Sequence, residues 1–201
     1  MKKKAIAFFD FDGTITFKDT LLEIIKFQNG RAGLYKGLLA ISPWLLAMKL
    51  KLVTNQAAKE RLLSHFFKGM PTRDFQMLCD RFSGECLPAL IRPAAFKEIE
   101  RLKKEEISVV IVSASPENWI SGWCKENNLM CIATRLEEDG NILTGKIAGK
   151  NCYGTEKVRR IREKFDLPAY TDIFCFGDTK GDKPMLSLAT FAYYKPFRSR
   201  R

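Results

Sequence analysis

The sequence predicts an α/β protein, a parallel sheet flanked by helices with a helical insert after the first strand. Three observations carry this reading. Short apolar runs recur at 4–10, 107–113, 171–177 and 190–194, with helical periodicity between them. The first and third runs lead into aspartates and the second ends in serine, so polar chemistry gathers at one edge of the sheet. Residues 11–106 separate the first two runs, far more chain than one crossover needs.

Each element has its own signal. Run 4–10 is uninterrupted apolar chain up to Asp10, as expected of a strand buried on both faces. Helical spacing follows at 20–28, 33–50, 55–67 and 72–86, punctuated by Gly30, Pro43, Asn55 and Pro71. Periodicity at 94–105 leads into the β-branched strand 107–113, and a helix at 116–127 leads into a weaker strand at 130–133. Asp139-Gly140 marks the turn of a β-hairpin within 136–146. Helices at 154–165 and 182–188 flank strand 171–177, and strand 190–194 closes the series. The division is a core at 1–16 and 89–201, with a helical cap at 17–88.

The chain has 201 residues and a formal charge of +11. A basic excess attracts phosphorylated metabolites, nucleic acid or anionic lipid, and equally serves as a solubilising surface. No basic block is long enough for a nucleic-acid arm, so no nucleic-acid partner is expected; the small clusters are 2–4, 159–162 and 198–201. Six cysteines lack any Cys-x-x-Cys pair and His65 is the sole histidine, which argues against zinc and for reduced thiols in a cytoplasmic protein. The Lys-rich start followed by apolar residues faintly resembles a signal peptide, but Asp10 and Asp12 cut the apolar run short. Stretch 37–48 is apolar nearly all round, too short to span a bilayer, and flanked by Lys36 and Lys49. It reads as a buried cap helix, with an interfacial surface at the inner face of an anionic membrane as the alternative.

The chemical residues fall into four groups. In Asp10-Phe-Asp-Gly-Thr14, residues i and i+2 of an extended chain point the same way, and Gly13 permits a tight turn. A calcium loop is excluded because no Glu occupies its twelfth position. Asp178 and Asp182 follow a strand and add carboxylates at the same edge, where a hard cation such as Mg²⁺ would balance them. Ser113 ends the second strand, and Lys157 lies near a helix start aimed at that edge. A hydroxyl, a lysine and a helix N-terminus suit a phosphate group.

In this order and strand context, Asp10-x-Asp12-Gly-Thr14, Ser113, Lys157 and Gly177-Asp178-x-x-x-Asp182 resemble the haloacid dehalogenase superfamily. The segments 133–137, 143–145 and 152–157 look like its phosphoserine-phosphatase-like subfamily IB. The resemblance implies a Rossmann-like core with a type 1 cap, and a phosphatase. It implies Asp10 as nucleophile forming an aspartyl-phosphate, and Asp12 as acid and then base. Mg²⁺ would bind Asp10, the Asp12 backbone carbonyl and Asp178, with Asp182 touching or bracing the site. Thr14, Ser113, the Ala114 N–H and Lys157 would hold phosphate. Dehalogenases lack the second Asp and P-type ATPases place Lys-Thr after the nucleophile, so a phosphomonoester is the expected substrate.

Within the subfamily, phosphoserine enzymes carry an early cap Glu, for which Asp19 is the nearest match and the tentative substrate residue here. Their cap Arg aligns near apolar Leu63, with Arg61 close by, and Ser113-Ala-Ser-Pro116 replaces their Ser-Gly-Gly. In size and layout the chain also resembles phosphatidylglycerophosphatase C-like enzymes. The substrate is therefore a lipid phosphate or a small phosphorylated metabolite. Phosphoserine hydrolysis, a phosphotransferase or mutase, and a catalytically silent binding module are the alternatives. Trp119 and Trp123, spaced i, i+4, read as packing residues, and His65 as a cap or surface residue.

Overall fold

The computed structural model describes residues 4–198. The outer parts of the two terminal basic clusters, 2–3 and 200–201, lie outside the described residues. Strand β1 (Ala5–Phe9) is followed by five helices: α1 (Thr20–Ala40), α2 (Ser42–Lys49), α3 (Asn55–Phe67), α4 (Thr72–Glu85) and α5 (Leu87–Leu90). Then come α6 (Pro93–Lys104), β2 (Ser108–Pro116), α7 (Glu117–Glu126), β3 (Met130–Thr134) and the hairpin β4 (Leu136–Asp139) with β5 (Ile142–Ile147). Helix α8 (Thr155–Lys164), β6 (Asp172–Gly177), α9 (Lys183–Leu186) and β7 (Phe191–Tyr194) complete the chain.

The five-stranded sheet has the order β3-β2-β1-β6-β7, and all its pairings are parallel. The chain leaves central β1 for β2 and β3 on one side, then returns to β6 and β7 on the other. The ends of β1, β2 and β6 thus flank the point where the winding reverses, the place where ligands bind in such sheets. Strand β1 alternates between two cores, which explains its unbroken apolar sequence. Ile6 and Phe8 join the face packed by Ile161 and Met185 of α8 and α9, whereas Ala7 and Phe9 join the larger core.

That larger core runs without a break into the helical insert. Phe11 and Ile15 after β1 and Trp119 of α7 share it with Ile24, Leu63, Phe67 and Phe82 of the insert. Trp119 and Trp123 are both buried, as packing residues should be. The hairpin supports the insert as well: the Leu143 N–H donates to the Met70 carbonyl, the Leu143 carbonyl accepts from the Gly69 N–H, and Ser64 Oγ donates to the Gly145 carbonyl.

The structure keeps the break expected at Gly30 and corrects the helix expected after it. Helix α1 is two helical pieces joined across Gly30, whose φ of 67° places it in the left-handed region that glycine adopts without penalty. The expected helix at 33–50 then ends at Ala40, and α2 starts at Ser42 with Pro43 in its first turn. Proline lacks an N–H and clashes with the carbonyl four residues back, so a continuous helix cannot pass it undisturbed. The buried-helix reading of 37–48 is also corrected: only Gly37 and Ile41 in that stretch are buried, and α2 contains no buried residue. Among the described residues no helix is long and apolar enough to cross a membrane.

Candidate active site

Asp10 leaves the end of β1 and is buried. Its two carboxylate oxygens are held separately. Lys157 Nζ donates to Oδ1 at 2.6 Å, and Thr14 Oγ1 donates to Oδ2 at 2.9 Å. Lys157 is also buried and donates to Asp182 Oδ1 at 2.7 Å, so one cation joins residues from three distant parts of the chain. The N-terminal turn of α8 delivers it. Arg160, one turn on, fixes that helix by donating to the Ala133 and Lys150 carbonyls and to Glu156.

Asp178 and Asp182 come from the turn after β6. Asp182 Oδ2 accepts from Thr179 Oγ1 at 2.8 Å and from the Thr179 and Asp178 N–H groups. Both its oxygens are therefore engaged, and it braces Lys157 and the turn. Asp178 Oδ2 accepts from Arg198, whereas its Oδ1 is buried with no hydrogen-bond partner. Gly13 makes this approach feasible. It has φ of 81°, and a Cβ there would lie 2.4 Å from Asp178 Oδ2.

Oxygens of Asp10, Asp178 and Asp182 lie within 4.8 Å of one another. Close oxygen donors with one orphaned carboxylate oxygen fit a hard divalent cation such as Mg²⁺. Charge supports the fit. When all are ionised, Asp10, Asp12, Asp19, Asp178 and Asp182 face Lys59, Lys157 and Arg198 around this edge, which leaves two negative charges unbalanced, the charge of one divalent ion. Burial pushes the Asp10 carboxyl up to about 7 despite the opposing pull of Lys157, and burial raises Asp178 too. Asp182 goes the other way: burial would raise it, but Lys157 and the Thr179 hydrogen bonds hold it below the usual range. A bound cation would favour the ionised form of Asp10.

Asp12 adds no carboxylate to this cluster. Its side chain turns toward the insert, accepting from the Thr20 N–H and from Ser115 Oγ, both at 2.6 Å. Trp119 Nε1 holds Thr20 in turn, at 2.9 Å from its hydroxyl. Ser113 is buried at the end of β2, where its Oγ accepts from the Ser115 N–H at 3.0 Å. Thr14, expected at the phosphate, commits its hydroxyl proton to Asp10 and so orients that carboxylate. Asp19 caps α1 by accepting from the Leu22 N–H at 3.2 Å; its carboxylate stays open to solvent in the cavity mouth, and the surrounding protein with the nearby Asp12 charge raises its pKa.

Asp10, Asp12, Ser115, Lys157 and Asp182 line the floor of a cavity of about 440 Å³ roofed by the insert. Asp10, Asp12, Asp19, Ala114 and Lys157 contribute polar wall, while Leu22, Leu38, Leu45, Met48 and Leu62 make the roof apolar. Sequence reasoning missed Lys59 of α3, which reaches down from the roof. Its Nζ donates to the Ala114 carbonyl at 2.5 Å and lies 3.4 Å from Asn151 Oδ1. Burial lowers its pKa to about 8, against the pull of Asp12 and Asp19. The available signal was a lysine beside the helix face formed by Ala58, Leu62 and Leu63. Ser115 was missed as well, although it sits only two residues beyond Ser113.

A model of the haloacid dehalogenase-like hydrolase family matches residues 7–187. The chain belongs to that family. Protein CicA of Caulobacter vibrioides is 32% identical over 195 residues, covering 96% of this chain and 86% of CicA. A protein of unknown function from Bordetella pertussis Tohama I superposes with a TM-score of 0.81 at 17% identity, over 94% of this chain and 88% of that one. A phosphoserine phosphatase carrying a phospho-aspartyl intermediate analogue superposes with a TM-score of 0.68 at 22% identity, over 94% and 84%. These two likenesses confirm the fold, and the family makes the chain a hydrolase.

Proposed function

We propose that this hydrolase is a Mg²⁺-dependent phosphatase that passes a phosphoryl group through Asp10, and that its substrate is a lipid phosphate of the phosphatidylglycerophosphate kind. The observation that carries the reading is a buried, lysine-paired aspartate at the floor of an apolar cavity. Asp10, Asp178 and the Asp12 backbone carbonyl would hold the ion, with Asp182 bracing them. When bound, it would neutralise charge on the phosphate and favour ionised Asp10.

The remaining chemistry belongs to the chain. An Asp10 oxygen attacks phosphorus, and the bond from phosphorus to the ester oxygen breaks. The leaving oxygen takes a proton from Asp12, leaving an aspartyl-phosphate and an Asp12 carboxylate. That carboxylate removes a proton from water, whose oxygen attacks phosphorus. The Asp10–phosphorus bond then breaks, releasing inorganic phosphate and regenerating both side chains. Ser113, the Ala114 N–H and Lys157 carry phosphate oxygens through both steps. Thr14 acts by fixing the Asp10 rotamer.

The leucine-rich roof favours an apolar substrate body, reached at the inner face of a membrane from the cytoplasm. A second reading, a small zwitterionic substrate such as phosphoserine, is favoured by Asp19 and Lys59 in the same cavity. Phosphate release from a dispersed lipid phosphate, phosphoserine and sugar phosphates, with Mg²⁺ and then with chelator, separates the two. Lipid phosphate should exceed phosphoserine in kcat/KM by at least about tenfold, one pocket-scale energy difference. The reverse order would remove the lipid substrate. Absence of Mg²⁺-dependent release from every compound would remove the phosphatase.

A further inference from the structure

The outer end of the cap carries two apolar faces back to back. Leu38, Leu45 and Met48 line the cavity. Their sequence neighbours Leu39 and Leu46 face the other way, 75% and 58% exposed, and Leu50 and Leu52 continue the outward surface at 62% and 74%. Tyr35 and Trp44 flank it, both exposed, and the Arg61 guanidinium lies over the Trp44 ring, 5.5 Å from its centroid. Six large apolar side chains left to solvent on one short segment are not a soluble helix's ordinary scatter.

The charge around this surface has one sign. No acidic residue occurs between Glu23 and Glu60, whereas Arg31, Lys36, Lys49 and Lys51 are present and exposed. Leucines with aromatic flanks and a basic rim are what the headgroup region of an anionic bilayer accepts. A second copy of the chain suits the face less well, because a two-fold contact would set the basic rim against itself.

We propose that this end of the cap, from the second half of α1 through α2 to Leu52, docks on an anionic lipid surface. Leu39, Leu46, Leu50 and Leu52 enter the headgroup layer and the basic residues meet its charge. Docking brings the roof of the cavity to the membrane, so an acyl chain could pass between Leu38, Leu45 and Met48 while its phosphate stays near Asp10. That link to turnover rests on the lipid-phosphatase reading; the docking itself does not.

The test mixes the full chain with vesicles of phosphatidylcholine alone, or with about one third phosphatidylglycerol, at about 0.05 M and about 0.5 M NaCl. Co-sedimentation and the Trp44 emission shift report binding, with Trp44→Phe as the spectral control. The wild type should bind anionic vesicles at least about tenfold more tightly than neutral ones and release at high salt. Leu46→Glu/Leu50→Glu and, separately, Lys49→Glu/Lys51→Glu should each weaken binding by about tenfold or more, with circular dichroism unchanged. No binding to anionic vesicles at low salt would overturn the proposal, as would variants that bind like the wild type. A vesicle-independent dimer dissolved by the Leu variant would assign the face to a second copy instead. Asp10→Asn keeps the two readings apart, since it should stop turnover and leave vesicle binding intact.

Discussion

Lys157 is the residue on which the electrostatics of the site turn. Its Nζ lies 2.6 Å from Asp10 and 2.7 Å from Asp182 with almost no solvent exposure. Lys157→Met fills much of the same volume and removes the cation, stranding two buried carboxylates. Breaking a buried ion pair from one side costs about 3–5 kcal/mol. At about 2–4 °C per kcal/mol for a chain of this size, the melting temperature in chelated buffer should fall by about 6–20 °C. The sign with pH follows from Asp10, which burial already holds up at about 7 against the opposing pull of Lys157. Losing Lys157 raises it further. A raised carboxyl binds its proton more tightly in the folded state, so its contribution is present at low pH and lost as pH rises through the folded value. The deficit against the wild type should therefore widen above pH 7. Thermal melts across pH, with and without Mg²⁺, read both effects, and Mg²⁺ should return part of the loss. Asp182→Asn in the Lys157→Met background should also return part of it, by removing one stranded charge. A melting shift under about 2 °C, below 1 kcal/mol, would refute the reasoning. So would a double variant no more stable than the single one.

Four other outcomes are expected. Asp12→Ala should accumulate phosphoenzyme with p-nitrophenyl phosphate, whose leaving group needs no proton although the attacking water does; intact-mass spectrometry checks it, and fast steady turnover without the adduct would refute it. Gly13→Ala should weaken Mg²⁺ binding by at least about tenfold in calorimetric titration, because its Cβ would sit 2.4 Å from Asp178 Oδ2 on a strained backbone. Lys59 should lose its charge as pH rises through about 8, so KM for substrates with a second anionic group should climb there, and Lys59→Met should abolish that limb of the profile. Arg159 and Arg160 hold Glu156 down at about 2, so the pairing stabilises above the usual carboxylate value and is lost as pH falls toward 2. Glu156→Gln should accordingly cost about 1 kcal/mol in neutral melts and progressively less between pH 4 and pH 2.

The central strands were legible because their sequences record their burial. An unbroken apolar run ending in Asp10 reads as a buried parallel strand, and β1 takes such a place between β2 and β6. The carboxylates and Lys157 were legible for a related reason: chemistry placed at strand ends and a helix start is ordered by the topology itself. Lys59 and Ser115 were not, because their significance is created by the packing of the insert on the core. Lying beside the buried face of α3 is a signal that Lys59 shares with Arg61, yet one reaches the Ala114 carbonyl and the other lies over Trp44. Thr14 is a case of the same kind. The resemblance places it near the phosphate, and only the turn geometry shows that its hydroxyl proton goes to Asp10.

The stretch 37–48 carries this argument to its limit. Hydropathy alone cannot separate a helix apolar because it is buried from one apolar because it serves two surfaces. The deciding element is Pro43. By ending α1 at Ala40 and starting α2 at Ser42, it stops this stretch from being one continuous helix with one buried face. The displaced segment lines the cavity with Leu38, Leu45 and Met48 and leaves Leu39 and Leu46 in water. Exposed leucines carry a solubility cost that a cap serving only a small polar substrate has no reason to keep. The same break that roofs the cavity thus creates the outward face, which ties the apolar character of the site to the apolar character of the surface beside it.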